Sequence, residues 1–488
     1  MALSLLIAII LSILAWSHFR RRRQNLPPGP YPFPIIGNIL QLGRNPHKSL
    51  TDLSKTYGPL MSLKLGSIHT VVVSSPDSAR LVLKENDQAF SGRTVPAAAE
   101  ALGFDMISMG LIPVGERWRK LRKLCKEQMF SARRLDDGAG NRREKVSRLV
   151  DYLRECSAKG RAVDLGQAAF VTTFNLLSAT FFSVDLIGFE SDATQQLKET
   201  IKGVTKVLGA PNVADFFPIL KRLDPQRIKK RLEFYFGGLL GVLGGIIDER
   251  MKSTPKELET KNDLLAALLD LMDGSEYDLT YKDIQHLFMD LFIGGSDSTQ
   301  STVEWAMTEL LANPDKMRNA KNELTSVIGE KNQVEESDIS RLPYLQALIK
   351  ETLRLHIPGP FLVPRRADRD IEIGGYIIPQ HSQIFINAWA IARDSSIWPN
   401  PTSFEPERFL NNNIGFKGQD FELIPFGSGR RICPGLPLAD RMLSLMLGSM
   451  LHNFEWEMEG GMRPDTTDEF GMALHKAVPL KAIPLYCN

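Results

Sequence analysis

One cysteine near the end of the chain is set among glycines and arginines. It is Cys433, in the stretch PFGSGRRICPG. Four roles are open for this thiol: disulfide partner, nucleophile, buried filler or metal ligand. Its surroundings predict a depressed thiol pKa. A nucleophilic cysteine needs a histidine base, and no motif among the eight histidines points at Cys433. A lone thiolate can ligate a metal whose other ligands come from a cofactor such as haem, and a buried structural cysteine is the main alternative.

Two glycines interrupt a long helix predicted over Asp283–Pro314. Gly294 and Gly295 each disfavour a helix by about 1 kcal/mol relative to alanine. Their missing side chains leave room beside the helix, and Asp297 and Ser298 put a carboxylate and a hydroxyl next to that room. Positions whose residues disfavour the predicted local structure are often functional. A packing notch with a satisfied aspartate is the other interpretation.

Two further motifs pair charged side chains at helical spacing. In KETLRLH, Glu351 and Arg354 lie three residues apart on one face, and Arg408 in FEPERF is a candidate third member. Such a pair is commonplace on a surface, but the apolar sequence on both sides predicts burial. In GERWRKLRKLCKEQMF, Trp118 and Arg122 lie one turn apart.

The helix of Trp118 also carries a basic face, which includes Lys120, Lys123 and Lys126. Three interpretations remain open for this face. It is solvated, it docks an acidic partner, or it pairs with carboxylates of a cofactor.

The elements that must position these residues are mostly helical. Helical periodicity dominates 115–358, and 438–454 is apolar nearly all round, which predicts a buried helix. Strands are predicted in 58–75 and in 370–387, where Gly374-Gly375 indicates a hairpin. The charged stretch 253–263 is predicted to be a surface connection. The fold class is therefore mainly α with small β-sheets.

Composition excludes several classes of protein. The 488 residues are 43% hydrophobic and 24% charged with a net charge of +2, which gives no sign of nucleic-acid binding. The four cysteines are far apart in sequence, so neither a zinc finger nor a disulfide framework is expected. A glycine-rich stretch, 427–432, lacks the third glycine of a dinucleotide-binding motif, and we reject it as a nucleotide site. No N-glycosylation sequon is present, so we expect reduced thiols and a cytosolic body.

The first residues predict a membrane anchor. The apolar run 3–19 spans about 25 Å as a helix, close to the roughly 27 Å core of the endoplasmic reticulum bilayer. Four arginines, 20–23, follow it rather than precede it, which favours a retained anchor with a cytosolic body over a secretory signal. We divide the chain into an anchor with a basic stop at 1–23, a proline-rich hinge at 24–37, and a catalytic domain at 38–488. An ordinary proline-rich linker is the alternative to the hinge.

Taken together, these motifs resemble the cytochrome P450 family. PFGSGRRICPG is similar to the family's haem-binding motif, KETLR to its Glu-x-x-Arg helix, FEPERF to its meander, and GGSDST to its oxygen-activating helix. Trp118 and Arg122 match its propionate-binding helix. The motifs follow one another in the family's order over essentially the whole chain, including the anchor and proline hinge of the plant microsomal members.

The resemblance implies haem b as cofactor, with Cys433 as its iron ligand and axial thiolate. It implies that Trp118, Arg122, Arg431 and Arg365 hold the haem propionates and that Phe426, Gly429 and Gly435 belong to the haem-binding loop. It assigns proton relay to Asp297 and Ser298, and a buried structural network to Glu351, Arg354 and Arg408. The family usually has alanine at Gly294 and threonine at Ser298, which puts the coupling of oxygen activation to product formation in question.

Further phrases, among them FSGRT and DLFIGGSD, resemble the plant terpenoid hydroxylases. This implies NADPH-driven hydroxylation of a diterpene scaffold of abietane type, with a monoterpene alcohol such as geraniol as the runner-up substrate. Two less favoured functions are those of a haem-thiolate isomerase or dehydratase and of a haem sensor. The substrate contacts that we expect are apolar or lie beside the groove: Phe104, Ile293, Gly294, Phe361, Leu362, Met472 and Leu474.

The resemblance also implies partners and a location. No flavin or nicotinamide motif is present, so electrons from NADPH must come through a separate cytochrome P450 reductase, docked on the basic face of Lys120, Lys123 and Lys126. We expect a monomer with a single-pass anchor in the endoplasmic reticulum membrane, and a cytosolic catalytic domain that binds O2 and no nucleic acid. The segment 212–220 is expected either to dip into the bilayer or to form a buried loop.

Overall fold

A computed structural model describes residues 25–252, 263–272, 274, 277–329 and 333–486. The anchor predicted at 1–23 and most of the connection 253–263 lie outside the described residues. Helices dominate, as predicted. The α-helices are Ile39–Leu42 (α1), Pro46–Tyr57 (α2), Pro76–Arg80 (α3), Phe104–Ile107 (α4), Glu116–Gln128 (α5), Ala132–Asp137 (α6), Ala139–Ala158 (α7), Leu165–Phe182 (α8), Asp192–Gly209 (α9), Val213–Phe216 (α10), Ile228–Met251 (α11), Leu264–Met272 (α12), Tyr281–Ala312 (α13), Pro314–Ile328 (α14), Pro343–Leu355 (α15), Ala388–Ile391 (α16) and Leu436–Asn453 (α17).

The strands within the described residues form four small sheets. They are Leu60–Leu65 (β1), Ile68–Val73 (β2), Gly92–Arg93 (β3), Val163–Asp164 (β4), Arg365–Arg366 (β5), Ile371–Ile373 (β6), Tyr376–Ile378 (β7), Gln383–Ile386 (β8), Phe454–Met458 (β9), Asp468–Glu469 (β10), His475–Lys476 (β11) and Lys481–Tyr486 (β12). The largest sheet has the order β1-β2-β8-β5-β3, and a three-stranded sheet has the order β4-β12-β9. Two hairpins, β6-β7 and β10-β11, complete the set. Both predicted β regions are confirmed, including the hairpin turn, where Gly374 and Gly375 have φ of +57° and +81°.

The centre of the molecule is a bundle around α13. This helix begins with a capping box, in which the Asp283 carboxylate accepts a 3.0 Å hydrogen bond from the Thr280 N–H and the Thr280 hydroxyl oxygen accepts one of 3.2 Å from the Asp283 N–H. It packs against α8, α11 and α17, so it is buried along most of its 32 residues. Aromatic rings fill the contact between α8 and α13; Phe174 and Phe292, for example, lie 4.6 Å apart between centroids. The predicted buried helix 438–454 is confirmed as α17.

One described helix, α8, is long and apolar enough to cross a membrane. Its residues are 83% buried inside the fold. Asp164 caps the start of α8, and the helix packs on protein on nearly every side because its side chains are apolar nearly all round. It therefore serves as a core helix.

The proline-rich segment after residue 24 contacts the body of the protein. Ser62 on β1 donates its N–H to the Pro28 carbonyl and its hydroxyl to the Pro27 carbonyl, at 2.8 and 2.7 Å. The Gly66 N–H reaches the Ile36 carbonyl at 3.1 Å. Part of the predicted hinge thus lies along the outer strand of the largest sheet.

Candidate active site

The cysteine loop is held open by glycines and backs onto α17. Gly427 and Gly429 have φ of +70° and +69°, which glycine adopts without strain. A Cβ at Gly429 would lie 2.1 Å from the Leu83 carbonyl oxygen, so the loop passes directly against the segment that follows α3. The Cys433 N–H closes the loop with a 3.0 Å hydrogen bond to the carbonyl of Phe426.

The thiol of Cys433 lies at the amino end of α17. The backbone N–H groups of Gly435 and Leu436 point at the sulfur, and Arg122 lies near enough to act on it electrostatically. Burial nevertheless raises the pKa of Cys433, and these groups offset it only in part. The depressed pKa predicted from the sequence is therefore wrong. The physical reason is the burial of the sulfur, which outweighs the two N–H groups and Arg122. The neighbouring Arg431 donates instead to the backbone carbonyls of Ser91, Met109 and Ile112.

The competing roles of this cysteine can be compared with the structure. Cys125, Cys156 and Cys433 are all free thiols, and Cys487 lies outside the described residues. Among the described residues, no group of three or more His, Cys, Asp or Glu side chains could hold a metal ion. A metal at Cys433 would therefore take its remaining ligands from a cofactor.

Four arginines crowd together beside the cysteine loop. Burial, and then their mutual repulsion, lowers the pKa of Arg365 and of Arg431 to about 10. The pKa of Arg93 is lowered well below its usual value, by burial first and then by Arg365 and Arg431. Burial also lowers the pKa of Arg122. Asp87 and Asp368 offset this repulsion only in part. Such a set of buried cations fits a ligand that brings carboxylates.

The sequence motifs did not single out Arg93. It reaches the site because β3 pairs with β5, where Arg93 stands opposite Arg365. Arg93 donates to the carbonyls of Gly110, at 3.1 Å, and Val363. Trp118, as predicted from its spacing, faces Arg122, whose guanidinium carbon lies 5.6 Å from the ring centroid, and Arg431 lies at 5.1 Å. The only signal for Arg93 was the phrase FSGRT.

The glycine notch of α13 opens onto space that the protein does not fill. Gly294 is exposed although its neighbours Ile293 and Ser296 are buried. A Cβ built on Gly294 would meet no atom within 4 Å. Gly295 differs, because its Cβ would lie 3.0 Å from Leu177 Cδ1. The predicted groove beside the helix is therefore confirmed, and Gly294 is the residue that opens it.

Hydroxyl groups along the groove bond to their own helix. The Ser298 hydroxyl donates to the Gly294 carbonyl at 2.8 Å, and the Thr299 hydroxyl donates to the Gly295 carbonyl at the same distance. The Thr302 hydroxyl donates to the Ser298 carbonyl in the same way. These bonds occupy the hydroxyl protons and leave oxygen lone pairs free to accept.

Asp297 is buried and has a partner that the sequence did not indicate. His475 on β11 places Nε2 at 3.1 Å from Asp297 Oδ2. The contact is an ion pair when the imidazole is protonated, and the charge of Asp297 favours that form. Because His475 is 178 positions away in sequence from Asp297, no local spacing could have revealed it.

The Glu351–Arg354 pair is buried, as its apolar flanks predicted. Arg354 donates to both oxygens of Glu351, at 2.7 and 2.8 Å, and Arg408 donates to one of them at 3.1 Å. Arg354 also binds the carbonyls of three loop residues: Ala392, Pro401 and Ser403. The network joins α15 to the loop before the cysteine motif.

The residues predicted as substrate contacts divide into two groups. Leu362 lies against the cysteine loop, 3.5 Å from the position of a Cβ on Gly427, and the Leu474 carbonyl accepts from Ser301 on α13. Met472 is 37% exposed and binds Thr205 on α9 through its N–H. The other group packs into the core.

Phe104 and Phe361 belong to that second group. Phe104 packs on Phe236, 4.6 Å between centroids, and Phe361 stacks on Phe385 at 5.1 Å. Both rings are buried. Ile293 is buried as well, beside Gly294. The structure therefore places Leu362 against the cysteine loop and Gly294 at the groove, while Leu474 and both aromatic rings are buried.

Comparison with known proteins decides the family. The Cytochrome P450 family model matches residues 27–483, which is most of the chain. The chain is a cytochrome P450. Its relatives include the ferruginol synthase of Isodon rubescens, 55% identical over 95% of both chains. The sugiol synthase of Salvia miltiorrhiza is 50% identical over 99% of both, and the carnosic acid synthase of Rosmarinus officinalis is 51% identical over 96% of both.

Membership of the cytochrome P450 family establishes the fold, the haem cofactor and the type of reaction. The chain is a monooxygenase that takes electrons from NADPH through a separate reductase. The residues described above fit this cofactor. A thiol lies in a glycine-lined loop, and the mutual repulsion of the buried arginines would be relieved by the two carboxylates of haem. The groove beside α13 is not filled by side chains of the described residues.

Proposed function

We propose that this cytochrome P450 hydroxylates a diterpene scaffold of abietane type. The relatives carry this proposal, since several that are about half identical over nearly their whole length are named for making ferruginol, sugiol and carnosic acid. The open groove at Gly294 supports it, because an alanine there would narrow the space available to a bulky ring system.

The cofactor-binding residues follow from charge and position. Cys433 would ligate the haem iron, and bound haem supplies the activation of O2. Arg93, Arg122, Arg365 and Arg431 would hold its two propionates, since two carboxylates relieve the repulsion among these buried cations. Trp118 would offer its indole N–H to the same carboxylates. Phe426, Gly429 and Gly435 would shape the loop around the sulfur.

Asp297 and Ser298 would deliver protons during oxygen activation. A buried carboxylate can accept and release a proton, and the Ser298 oxygen can accept one more hydrogen bond beyond the one that it donates to Gly294. Threonine would hold its hydroxyl more rigidly than Ser298 does. The hydroxyl of Ser298 is nevertheless held in place by its hydrogen bond to the Gly294 carbonyl. This bond supports efficient coupling of oxygen activation to product formation.

The basic face of α5 would dock the reductase. Lys123 and Lys126 are exposed; Lys123 also lies over the Tyr277 ring, 5.5 Å from its centroid, and Lys120 pairs with Glu116 at 3.2 Å. An acidic partner surface would be attracted to such a face, and the association would weaken as salt increases. A higher KM for reductase in Lys123→Glu would support this docking site.

The membrane arrangement is a further part of the proposed function. Residues 1–23 would anchor the chain in the endoplasmic reticulum membrane, 24–37 would act as a hinge, and the protein would be a monomer. Within 212–220, Ala214 is buried, Val213 is 37% exposed and Ile219 is 88% exposed, so Ile219 is the apolar side chain best placed to reach a bilayer.

Product analysis tests the proposed substrate. Microsomes that contain this chain and a reductase would be supplied with mono-, sesqui- and diterpenes, and the products identified by mass spectrometry. Oxidation of abietane-type diterpenes alone is the expected result. Oxidation of a monoterpene alcohol instead would favour the monoterpenoid substrate class. Conversion that continued without NADPH or reductase would indicate an isomerase.

A further inference from the structure

A buried histidine outside the haem loop contacts the groove of α13. His475 lies on β11, and its Nε2 is 3.1 Å from Oδ2 of Asp297. Both side chains are nearly inaccessible to solvent. Among the described residues, neither of these two atoms has a hydrogen-bond partner outside the pair. The contact with His475 is therefore the polar contact that the structure gives to Oδ2 of Asp297.

Several hydrogen bonds fix the strand that carries His475. The Leu474 carbonyl accepts from the Ser301 hydroxyl at 2.8 Å, and the Leu474 N–H donates to the Pro358 carbonyl at 2.8 Å. The Met472 N–H binds the Thr205 carbonyl on α9. These contacts tie the strand to α13 on one side and to α9 on the other, so the imidazole cannot move far from Asp297.

Charged groups continue from His475 to the surface. Lys202 on α9, Glu469 on β10 and Glu304 on α13 all act electrostatically on the imidazole. Glu469 pairs with Lys206 at 2.6 Å and with Lys202 at 3.6 Å, and both lysines are about half exposed. Lys476, the next residue on β11, is buried and pairs electrostatically with Glu304. His475 thus lies between the buried Asp297 and the solvated Glu469.

We propose that His475 is a positioning residue that orients Asp297 and supplies the proton that Asp297 passes on. In this step the N–H bond at Nε2 of the imidazolium breaks and an O–H bond forms at Oδ2 of Asp297. Asp297 returns to the carboxylate when it passes this proton on, and Nε2 of the neutral imidazole, which keeps its Nδ1 proton throughout, then takes up a proton from solvent. The inference rests on the proposed relay role of Asp297.

The charge state of His475 determines when this arrangement is present. Burial lowers the pKa of His475, but the charge of Asp297 outweighs burial and raises it above the ordinary value of 6.5. The pair is therefore fully formed below pH ~6.5 and is lost as the pH rises through the value in the folded protein. Lys202 opposes protonation, while Glu304 favours it.

Stability measurements test the pair without turnover. Wild type, His475→Gln, Asp297→Asn and the double variant would be unfolded as holoenzymes between pH ~5.5 and ~8.5. We expect the stability difference between wild type and His475→Gln to shrink as the pH rises, and to vanish in the Asp297→Asn background. If the stability difference between wild type and His475→Gln were independent of pH, the proposed ion pair would be wrong.

Coupling measurements test the role of the pair. In wild type we expect the product formed per NADPH to fall as the pH rises. His475→Gln should lower this yield by roughly threefold or more and make it independent of pH. His475→Lys, which keeps the positive charge, should restore part of the yield and move the pH step upward. The spectrum of the reduced carbon monoxide complex should stay unchanged in every variant.

The roles of His475 and Asp297 can fail separately. If Asp297→Asn lowers coupling and His475→Gln leaves both the yield and its pH profile as in wild type, the role of His475 is wrong and the relay stands. If Asp297→Asn itself leaves coupling unaltered, the relay proposed for Asp297 is wrong.

Discussion

Glu351 and Arg354 form a bidentate ion pair in which neither side chain is exposed at all. The pair is completed by neighbours, because Arg408 and the backbone N–H of Glu405 donate to the same Glu351 oxygen. Every strong donor and acceptor is therefore used. The cost of removing the two charges from water is offset only while all partners remain in place.

Neutralising the carboxylate should therefore destabilise the protein strongly. We expect Glu351→Gln to lower the free energy of unfolding by about 3–5 kcal/mol, because the Arg354 guanidinium stays buried without a counter-charge. Chemical denaturation measures this change. The matched control is Asp52→Asn, which removes an i,i+3 pair with Lys55 whose side chains are both 72% exposed. That variant should change stability by at most about 0.5 kcal/mol, and equal losses in the two variants would contradict the argument.

Replacing the cysteine should remove the thiolate without unfolding the chain. Cys433→Ala should abolish the thiolate-type Soret shift of the reduced carbon monoxide complex, because the sulfur of Cys433 is the proposed iron ligand. Cys156→Ala is the control, since Cys156 is buried on α7 and contacts Arg161 at 2.9 Å. An unaltered spectrum in Cys433→Ala would mean that another group ligates the iron.

Local sequence spacing predicted the parts of the site that lie within one element. Glu351 and Arg354 are three residues apart on α15, and Gly294 and Ser298 share α13, so helical periodicity alone brings them together. The same reasoning could not find Arg93 or His475. Both depend on pairings between distant strands or elements, which sequence spacing does not encode.

The error over the Cys433 pKa has a similar origin. The sequence showed arginines beside the thiol but not their hydrogen-bond partners. In the fold, burial of the sulfur raises the Cys433 pKa more than Arg122 and the N–H groups of Gly435 and Leu436 lower it. Arg431 donates to three backbone carbonyls. The order of helices and strands followed from periodicity and turn residues. The direction in which each long side chain points followed from tertiary packing.

Two adjacent glycines on α13 should respond oppositely to alanine. Gly294→Ala places its methyl group in open space and should raise stability by about 0.5–1 kcal/mol, while it narrows the groove and shifts the product distribution. In Gly295→Ala the methyl group would lie 3.0 Å from Leu177 Cδ1, so we expect that gain to be cancelled or reversed. Thermal unfolding and product analysis compare the two variants. Identical stability changes in the two variants would contradict this prediction, because they would mean that the Leu177 side chain moves aside without cost.

A buried carboxyl group predicts a pH-dependent stability difference. Asp290 on α13 accepts hydrogen bonds from the Ser108 hydroxyl at 2.8 Å and the Met109 N–H at 2.7 Å. Burial raises the pKa of Asp290 to about 7. Because this value lies above that of the unfolded chain, the stability of wild type relative to Asp290→Asn should fall as the pH rises from about 4 to about 7. Denaturant unfolding of wild type and Asp290→Asn at several pH values measures this stability difference.

A second aspartate supplies a control of opposite sign. Asp468 pairs with His47 and Lys48, which lower its pKa in spite of its burial. Wild type should therefore lose stability relative to Asp468→Asn as the pH falls below about 4. Parallel trends in Asp290→Asn and Asp468→Asn would contradict the assignment of the Asp290 pKa.

The close approach of Gly429 to the Leu83 carbonyl has a consequence for biosynthesis. These two residues are separated by 346 positions, so the cysteine loop takes its shape only after a late part of the chain meets an early one. The largest sheet has the same property, since β2 pairs in parallel with β8. Contacts of such high sequence separation form slowly. A nascent chain therefore has no finished cysteine loop until synthesis is nearly over, and cofactor capture must be one of the last events of folding.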